Sequence, residues 1–192
     1  MKLASGQAIR PMLIDFECNN FRHSEPIEMT VKCLVTSRSF TTLIKCENPI
    51  HFLAYKVHGI SRSMLQNQPD FRAVHHLLLE WLEYMGSNDH EIVLFVAHNA
   101  PFDHRVMKKA LAKAEIPFPT NWVFQDSLKI IKQYRPGLDS YALGKLAESL
   151  QCEKPTHRSA SDVACLIEIL KKIFGDGLID VAKGVIQFAF DL

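Results

Sequence analysis

The chain has 192 residues, 47% hydrophobic and 22% charged, enough for one domain with a sizeable core and far from the disordered and fibrous classes. A formal net charge of +1 leaves no bulk positive field, so any nucleic-acid binding has to come from a local site. Cys18, Cys33, Cys46, Cys152 and Cys165 form no CxxC pair and no zinc-like spacing, which argues for a reducing compartment rather than a disulfide framework. The start "MKLASGQAIRP" lacks the apolar stretch of a signal peptide, and no run approaches the roughly 18 apolar residues of a membrane span. A cytoplasmic protein is the expectation.

"PMLIDFE" reads as the first strand, followed by the polar break "CNNFRHSEP". "IEMTVKCLV" and "SFTTLIKC" are β-branched runs separated by Thr36 to Arg38, a hairpin pattern, and a loop containing Pro49 leads on to "YKVHGIS". From Pro69 and Asp70 the period becomes helical, with Phe71, Val74, Leu78, Leu82 and Met85 on one stripe. "EIVLFVA" is continuously apolar, as expected of a strand buried on both faces. After "HNAP" a helix runs to about Ala114, "WVFQ" is a short strand, and "SLKIIKQY" and "SYALGKLAESL" are helical. In "ASDVACLIEILKKIF", Val163, Leu166, Ile167, Leu170 and Phe174 form an apolar stripe, and a short helix is expected from Leu178 to about Val185. Strands first, then alternating helix and strand, then helices imply a mixed sheet covered by helices in a single domain over 1–192, with its core at about 11–174 and a C-terminal segment 175–192.

Asp15 and Glu17 lie two apart inside an apolar run, so in an extended strand their side chains share one side, with α-carbons roughly 6–7 Å apart. Like charges that close oppose joint ionisation unless a cation intervenes, and Mg²⁺ or Mn²⁺ prefers carboxylate oxygens. The plainer alternative is a strand end where both acids are hydrated. Asp103 follows Pro101 just beyond the buried strand, in the first turn expected of a helix, next to the strand end where α/β sheets place ligands. Asp162 precedes an amphipathic helix on its polar side, with His157 five residues earlier in a polar loop. An imidazole beside a carboxylate cluster suits proton abstraction near neutral pH.

The segments "DFE", "VHGI", "AHNAPFD", "DSL" and "HRSASD" stand in the order and spacing of the DEDDh exonucleases, and the chain resembles that DnaQ-like family over roughly residues 11 to 174. The resemblance implies an RNase H-like α/β fold, a mixed five-stranded sheet flanked by helices. It also implies two bound metal ions, Mg²⁺ or Mn²⁺, held by Asp15, Glu17, Asp103 and Asp162, with His157 as general base. HxxxxD marks the histidine subgroup rather than the tyrosine one. Phe16, Cys18, His58, Asn99 and Phe102 are the implied candidates for contact with the terminal nucleotide. For Phe16 and Phe102 core packing is the alternative, for His58 a turn, and Asn99 could instead hold the strand-to-helix turn. Asp126 stands in a further recurrent frame but reads better as a helix N-cap. The sequence departs from the family at Cys18, where threonine is usual, at "DSL" and at Ser161-Asp162-Val163; none of these removes a ligand or the base.

The implied activity is 3′→5′ hydrolysis of single-stranded or frayed nucleic-acid 3′ ends to nucleoside 5′-monophosphates, with DNA preferred to RNA. RNA 3′-end trimming as in RNase T, a polymerase proofreading subunit, and an inactive nucleic-acid-binding scaffold remain as alternatives. The terminal "QFAFDL" is similar to the peptides that dock on bacterial sliding clamps, although packing of its aromatic rings on the domain is the preferred reading.

Overall fold

The alternation of β1 (Ile9–Cys18) sorts its side chains between two cores, and the whole sheet follows from it. Met12, Ile14, Phe16 and Cys18 enter one core, whereas Ile9 and Leu13 enter the other. The odd positions therefore begin apolar and turn acidic at Asp15 and Glu17. A computed structural model describes residues 8–21, 24–86 and 90–175. It contains a five-stranded sheet in the order β3-β2-β1-β4-β5. β2 (Pro26–Cys33) pairs antiparallel with β1 and with β3 (Ser39–Leu43). β4 (Ile92–Ala97) runs parallel to β1 and to β5 (Trp122–Asp126).

β4 is buried at every position, as its unbroken apolar run implies. Phe95 is fully buried and meets Trp122 edge-on at a ring separation of 5.1 Å. Truncating such a residue to alanine costs about 3–5 kcal/mol. On one face of the sheet lie α3 (Phe71–Tyr84) and α4 (Pro101–Lys113), which supply Val74, Leu78, Val106 and Met107 to the first core. On the other lie α5 (Ser127–Tyr134), α6 (Leu143–Ser149) and α7 (Ser159–Phe174), which supply Ile131, Leu146, Val163 and Leu166 to the second. Asp70 caps α3 by accepting from the Ala73 N–H at 2.8 Å, the start signal that the sequence carries.

Three expectations change. The hairpin connection runs over 34–38 rather than 36–38, because Ser37 takes a left-handed conformation (φ 60°) and its N–H bonds back to Cys33 O. α1 (Phe52–His58) begins inside the stretch expected as the loop leading to "YKVHGIS", a segment given no element, and α2 (Arg62–Leu65) follows it. α1 exposes Phe52, Leu53, Tyr55 and Val57, so it has no apolar stripe to betray it; its ends are set by His51 and by Gly59 at φ 69°. Asp162 lies inside the first turn of α7, not ahead of it. The helix expected over 178–185 and "QFAFDL" lie outside the described residues.

Candidate active site

The parallel strands β1, β4 and β5 end at the same edge of the sheet, and the acids gather there. A bulge between Glu17 and Cys18 ends the regular pairing of β1 with β2 at this point. One oxygen from each of Asp15, Glu17 and Asp162 lies within 4.8 Å of the other two. Burial lifts the Asp15 carboxyl to about 8, with the Asp162 and Glu28 charges adding to the effect. Glu17 is pushed up to about 9 by burial and then by Asp15, Asp162 and Glu28. Burial also raises Asp162, against the pull of backbone N–H groups of the loop before α7. Such a set is unfavourable as three bare anions, and a divalent cation resolves it.

Asp103 arrives from a different element. It stands in the first turn of α4 behind Pro101 and is buried, and its Oδ1 has no hydrogen-bond partner. Burial and the Asp15 charge drive its carboxyl well above the usual range. The turn that delivers it is built by Asn99 in the left-handed region (φ 66°) and by Asp126. Asp126 Oδ1 accepts from the N–H groups of Asn99 (3.0 Å), Ala100 (3.3 Å) and Leu128 (3.1 Å). Asp126 is thus the N-cap of α5, as expected, and also ties the end of β4 to the end of β5. Four carboxylates of hard oxygen donors, one with an orphaned buried oxygen, fit Mg²⁺ or Mn²⁺ far better than a softer ion.

His157 is exposed at the rim, with φ 56°, and its backbone N–H donates to Asp162 Oδ1 at 3.1 Å. The loop is seated by two residues that the sequence did not single out, Glu28 and Arg158. Glu28 pairs across the strands with Glu17 and therefore shares its face. Its carboxylate accepts from Arg158 Nε at 3.1 Å, from the Arg158 terminal nitrogen, and from the Ser159 N–H (2.9 Å) and Oγ (3.1 Å).

The candidates for nucleotide contact divide. Phe16 is buried in the first core on the face opposite the acids, so its ring serves packing; strand alternation between Asp15 and Glu17 requires this. Cys18 is buried too, in the first core at the bulge after Glu17, and burial together with the charges of Asp103, Glu17 and Asp15 pushes its thiol well up. Phe102 is half-buried at the start of α4, with the Arg105 guanidinium 5.5 Å from its ring centre. His58 closes α1; its Nδ1 accepts from the Ile60 N–H at 2.9 Å, which leaves the proton on a buried Nε2 that has no partner. Burial lowers this imidazole, against the pull of a backbone hydrogen bond at Cys18 and the Glu28 charge.

The profile of the family described as "Exonuclease" matches residues 13–170. The chain belongs to the exonuclease family. Its mixed five-stranded sheet is the RNase H-like fold of DEDDh exonuclease structures, and the family implies divalent-metal dependence, with which the three-acid cluster is consistent. The chain is 30% identical over 155 residues to the DNA polymerase III subunit epsilon of Rickettsia felis, covering 78% of this chain and 63% of that protein. It is 32% identical over 145 residues to the 3′-5′ exonuclease DinG of Bacillus subtilis, covering 72% of this chain and 14% of that one. It therefore spans less than two thirds of these relatives. Among solved structures, the nuclease domain of 3′hExo, a DEDDh member bound to rAMP, superposes with a TM-score of 0.75 at 14% identity over 88% of this chain and 93% of that chain. No helix among the described residues is long and apolar enough to cross a membrane.

Proposed function

We propose that this exonuclease-family chain is a metal-dependent 3′→5′ exonuclease that releases nucleoside 5′-monophosphates from single-stranded or frayed 3′ ends, DNA in preference to RNA. The observation that carries the reading is the convergence of Asp15, Glu17 and Asp162 within 4.8 Å, with His157 bonded through its backbone to Asp162. The names of the relatives, a polymerase III epsilon subunit and a 3′-5′ exonuclease, support direction and sugar. Asp15, Glu17, Asp103 and Asp162 would hold two divalent ions, which supply an activated water and neutralise charge on the departing oxygen.

The chain's own groups do the rest. His157 stands at the exposed rim, where its ring can take the proton of the attacking water. The water oxygen bonds to phosphorus as the bond from phosphorus to the 3′-oxygen breaks, and the 3′-oxygen leaves to take a proton from solvent. His58 offers a buried Nε2–H donor, and Phe102 a half-buried ring, to the terminal nucleotide. Asn99, in the turn before α4, and Cys18, at the β1 bulge, are the remaining candidates for contact with it.

The test uses 5′-labelled single-stranded, duplex, mismatched and RNA 3′ ends with Mg²⁺ and with Mn²⁺. Wild type shortens the strand from its 3′ end, DNA faster than RNA, and a 3′-phosphate blocks it. Asp15→Asn abolishes release without loss of thermal stability, since only charge and ligand strength change. Digestion from the 5′ end, or retention of more than about one hundredth of the rate by Asp15→Asn, contradicts the reading; loss of one oriented metal ligand removes a group worth several powers of ten.

A further inference from the structure

Of the carboxylates at the acid edge of the sheet, four have a role in the proposed reaction and Asp126 caps α5. Glu28 is the one left over. It faces Glu17 across the β1–β2 pair and is as buried as Asp103, yet its chemistry is the reverse of theirs. Burial alone would raise its carboxyl; the bonds from Arg158 and Ser159 outweigh it and hold Glu28 below the usual range. Asp15 and Glu17 are raised for want of such partners. Both Glu28 oxygens are already taken by donors, so it has no lone pair to spare for a cation.

Those donors come from the N-terminus of α7. Arg158 is its N-cap residue; a guanidinium has no acceptor with which to cap the helix, and it is turned onto Glu28, whose carboxylate accepts from the Ser159 N–H. Ser159 begins the helix fully buried, and its Oγ also bonds Thr30 Oγ1 at 2.8 Å, which in turn meets Thr41 Oγ1 at 3.0 Å. Thr30 is the cross-strand partner of Asp15 as Glu28 is of Glu17. The first turn of α7 is therefore bolted to the strand next to the acids, in the same two rows. Immediately before the bolt stands His157 in the left-handed region, a conformation that costs a residue other than glycine about 1–2 kcal/mol and persists only where neighbours hold it. Immediately after it, in the same turn, stands Asp162.

We propose that Glu28 is a positioning residue for the exonuclease reaction, acting through Arg158 and Ser159 to hold His157 and Asp162 against Asp15 and Glu17. It touches neither substrate nor ion. This rests on the function proposed above, because it assigns His157 the proton and Asp162 the cation.

The experiment is a double-substitution cycle with an independent structural readout. Glu28→Gln keeps the shape and removes the charge; Arg158→Ala, at a side chain 41% exposed, removes the other half of the pair with little threat to folding. Each should lower kcat about 10–100-fold on a single-stranded 3′ end with Mn²⁺ while KM stays within about twofold, as expected of a misplaced rather than missing group. In a His157→Ala background Glu28→Gln should cost several-fold less than in wild type, because one of the two groups that it positions is gone while Asp162 remains. Hydrogen exchange at the His157 and Ser159 amides should quicken at least tenfold in Glu28→Gln, with β1 and β4 amides unchanged. An equal kcat loss in both backgrounds, a change confined to KM, or unaltered exchange at 157–159 overturns the proposal. If Glu28→Gln does not fold, Arg158→Ala must give the same pattern or the proposal fails. A wild-type chain inactive with every divalent ion sinks the exonuclease reading itself, whereas an active wild type without the non-additivity sinks only the role of Glu28.

Discussion

His157 gathers what a single residue has to satisfy: an exposed imidazole at the rim, a left-handed backbone, and an N–H that already serves Asp162. Replacing the ring leaves the N–H in place. His157→Ala should therefore cut turnover about 10²–10⁴-fold, the usual worth of a general base, with unchanged Mn²⁺ affinity and thermal stability; rapid-quench kinetics and a metal titration check it, and a loss of metal in place of turnover would remove the base role. A second histidine makes the opposite point. His75 is buried against Trp122, with both ring nitrogens unpartnered, and burial lowers its imidazole. The sign follows: the unfolded ring titrates near about 6.5, the folded one lower, so its contribution is whole above that value and is lost as pH falls toward the folded value. His75→Phe should raise stability by about 1 kcal/mol, or about 2–4 °C in Tm. It should also remove its share of the histidine contribution to the pH dependence of Tm between pH 7 and 5, which opposes that of the raised carboxyls, while His58, His98 and His104, lowered for the same reason, keep the rest.

Among the elements, α3 and α5 both begin on an aspartate cap, but the two caps carry different loads. Asp70 binds one N–H and holds only its own helix. Asp126 binds three, two of them in the turn that delivers Asp103. Asp70→Ala should lower stability by about 1 kcal/mol, with full activity. Asp126→Ala, which leaves buried donors unmet as well, should cost about 3 kcal/mol, a Tm fall of roughly 6–12 °C, and should reduce kcat at temperatures where the chain is still folded. Parallel melting curves and initial rates distinguish them; equal losses, or an unimpaired Asp126→Ala enzyme, would separate the cap from the site. The contrast also shows why the acid cluster is divided between faces of the sheet: Asp15, Glu17 and Asp162 meet under α7, whereas Asp103 enters from α4.

For the whole molecule, the acid edge is a stability cost that a cation converts into a gain. Carboxyls raised from their ordinary values near 4 to about 8 at Asp15 and about 9 at Glu17 favour the folded state fully at low pH and withdraw that favour as pH rises through this window. In chelator, Tm should therefore fall between pH 6 and 9 by more than the histidines restore. Mn²⁺ at about 100 times its dissociation constant adds roughly 2.7 kcal/mol, or about 5–10 °C in Tm for a chain of this size, and the shift should be larger at pH 8 than at pH 6. Asp15→Asn should melt higher than wild type in chelator and lose most of the Mn²⁺ shift. Calorimetry at the two pH values, with and without the ion, tests this; a Mn²⁺ shift that survives in Asp15→Asn would place the binding elsewhere.

What the sequence determines alone is local and periodic. The fully apolar β4, the amphipathic α3 and α7, the caps at Asp70 and Asp126, Pro101 at the start of α4 and the shared side of Asp15 and Glu17 all follow from spacing and residue type. Strand alternation turns Phe16 away from the two acids beside it, yet the resemblance left it a candidate for nucleotide contact until the packed core decided for burial. The exposed α1 was not legible, because a helix without a buried stripe leaves no period to read. Nor was Glu28: as a glutamate in an apolar strand it looks the same as Glu17. Only the partners brought to it decide between a structural anion and a candidate cation ligand, and those partners stand on α7, at the far end of the chain. Charge is a property of residue type, but its free energy depends on what surrounds it, and here those surroundings exist only once α7 packs on the sheet.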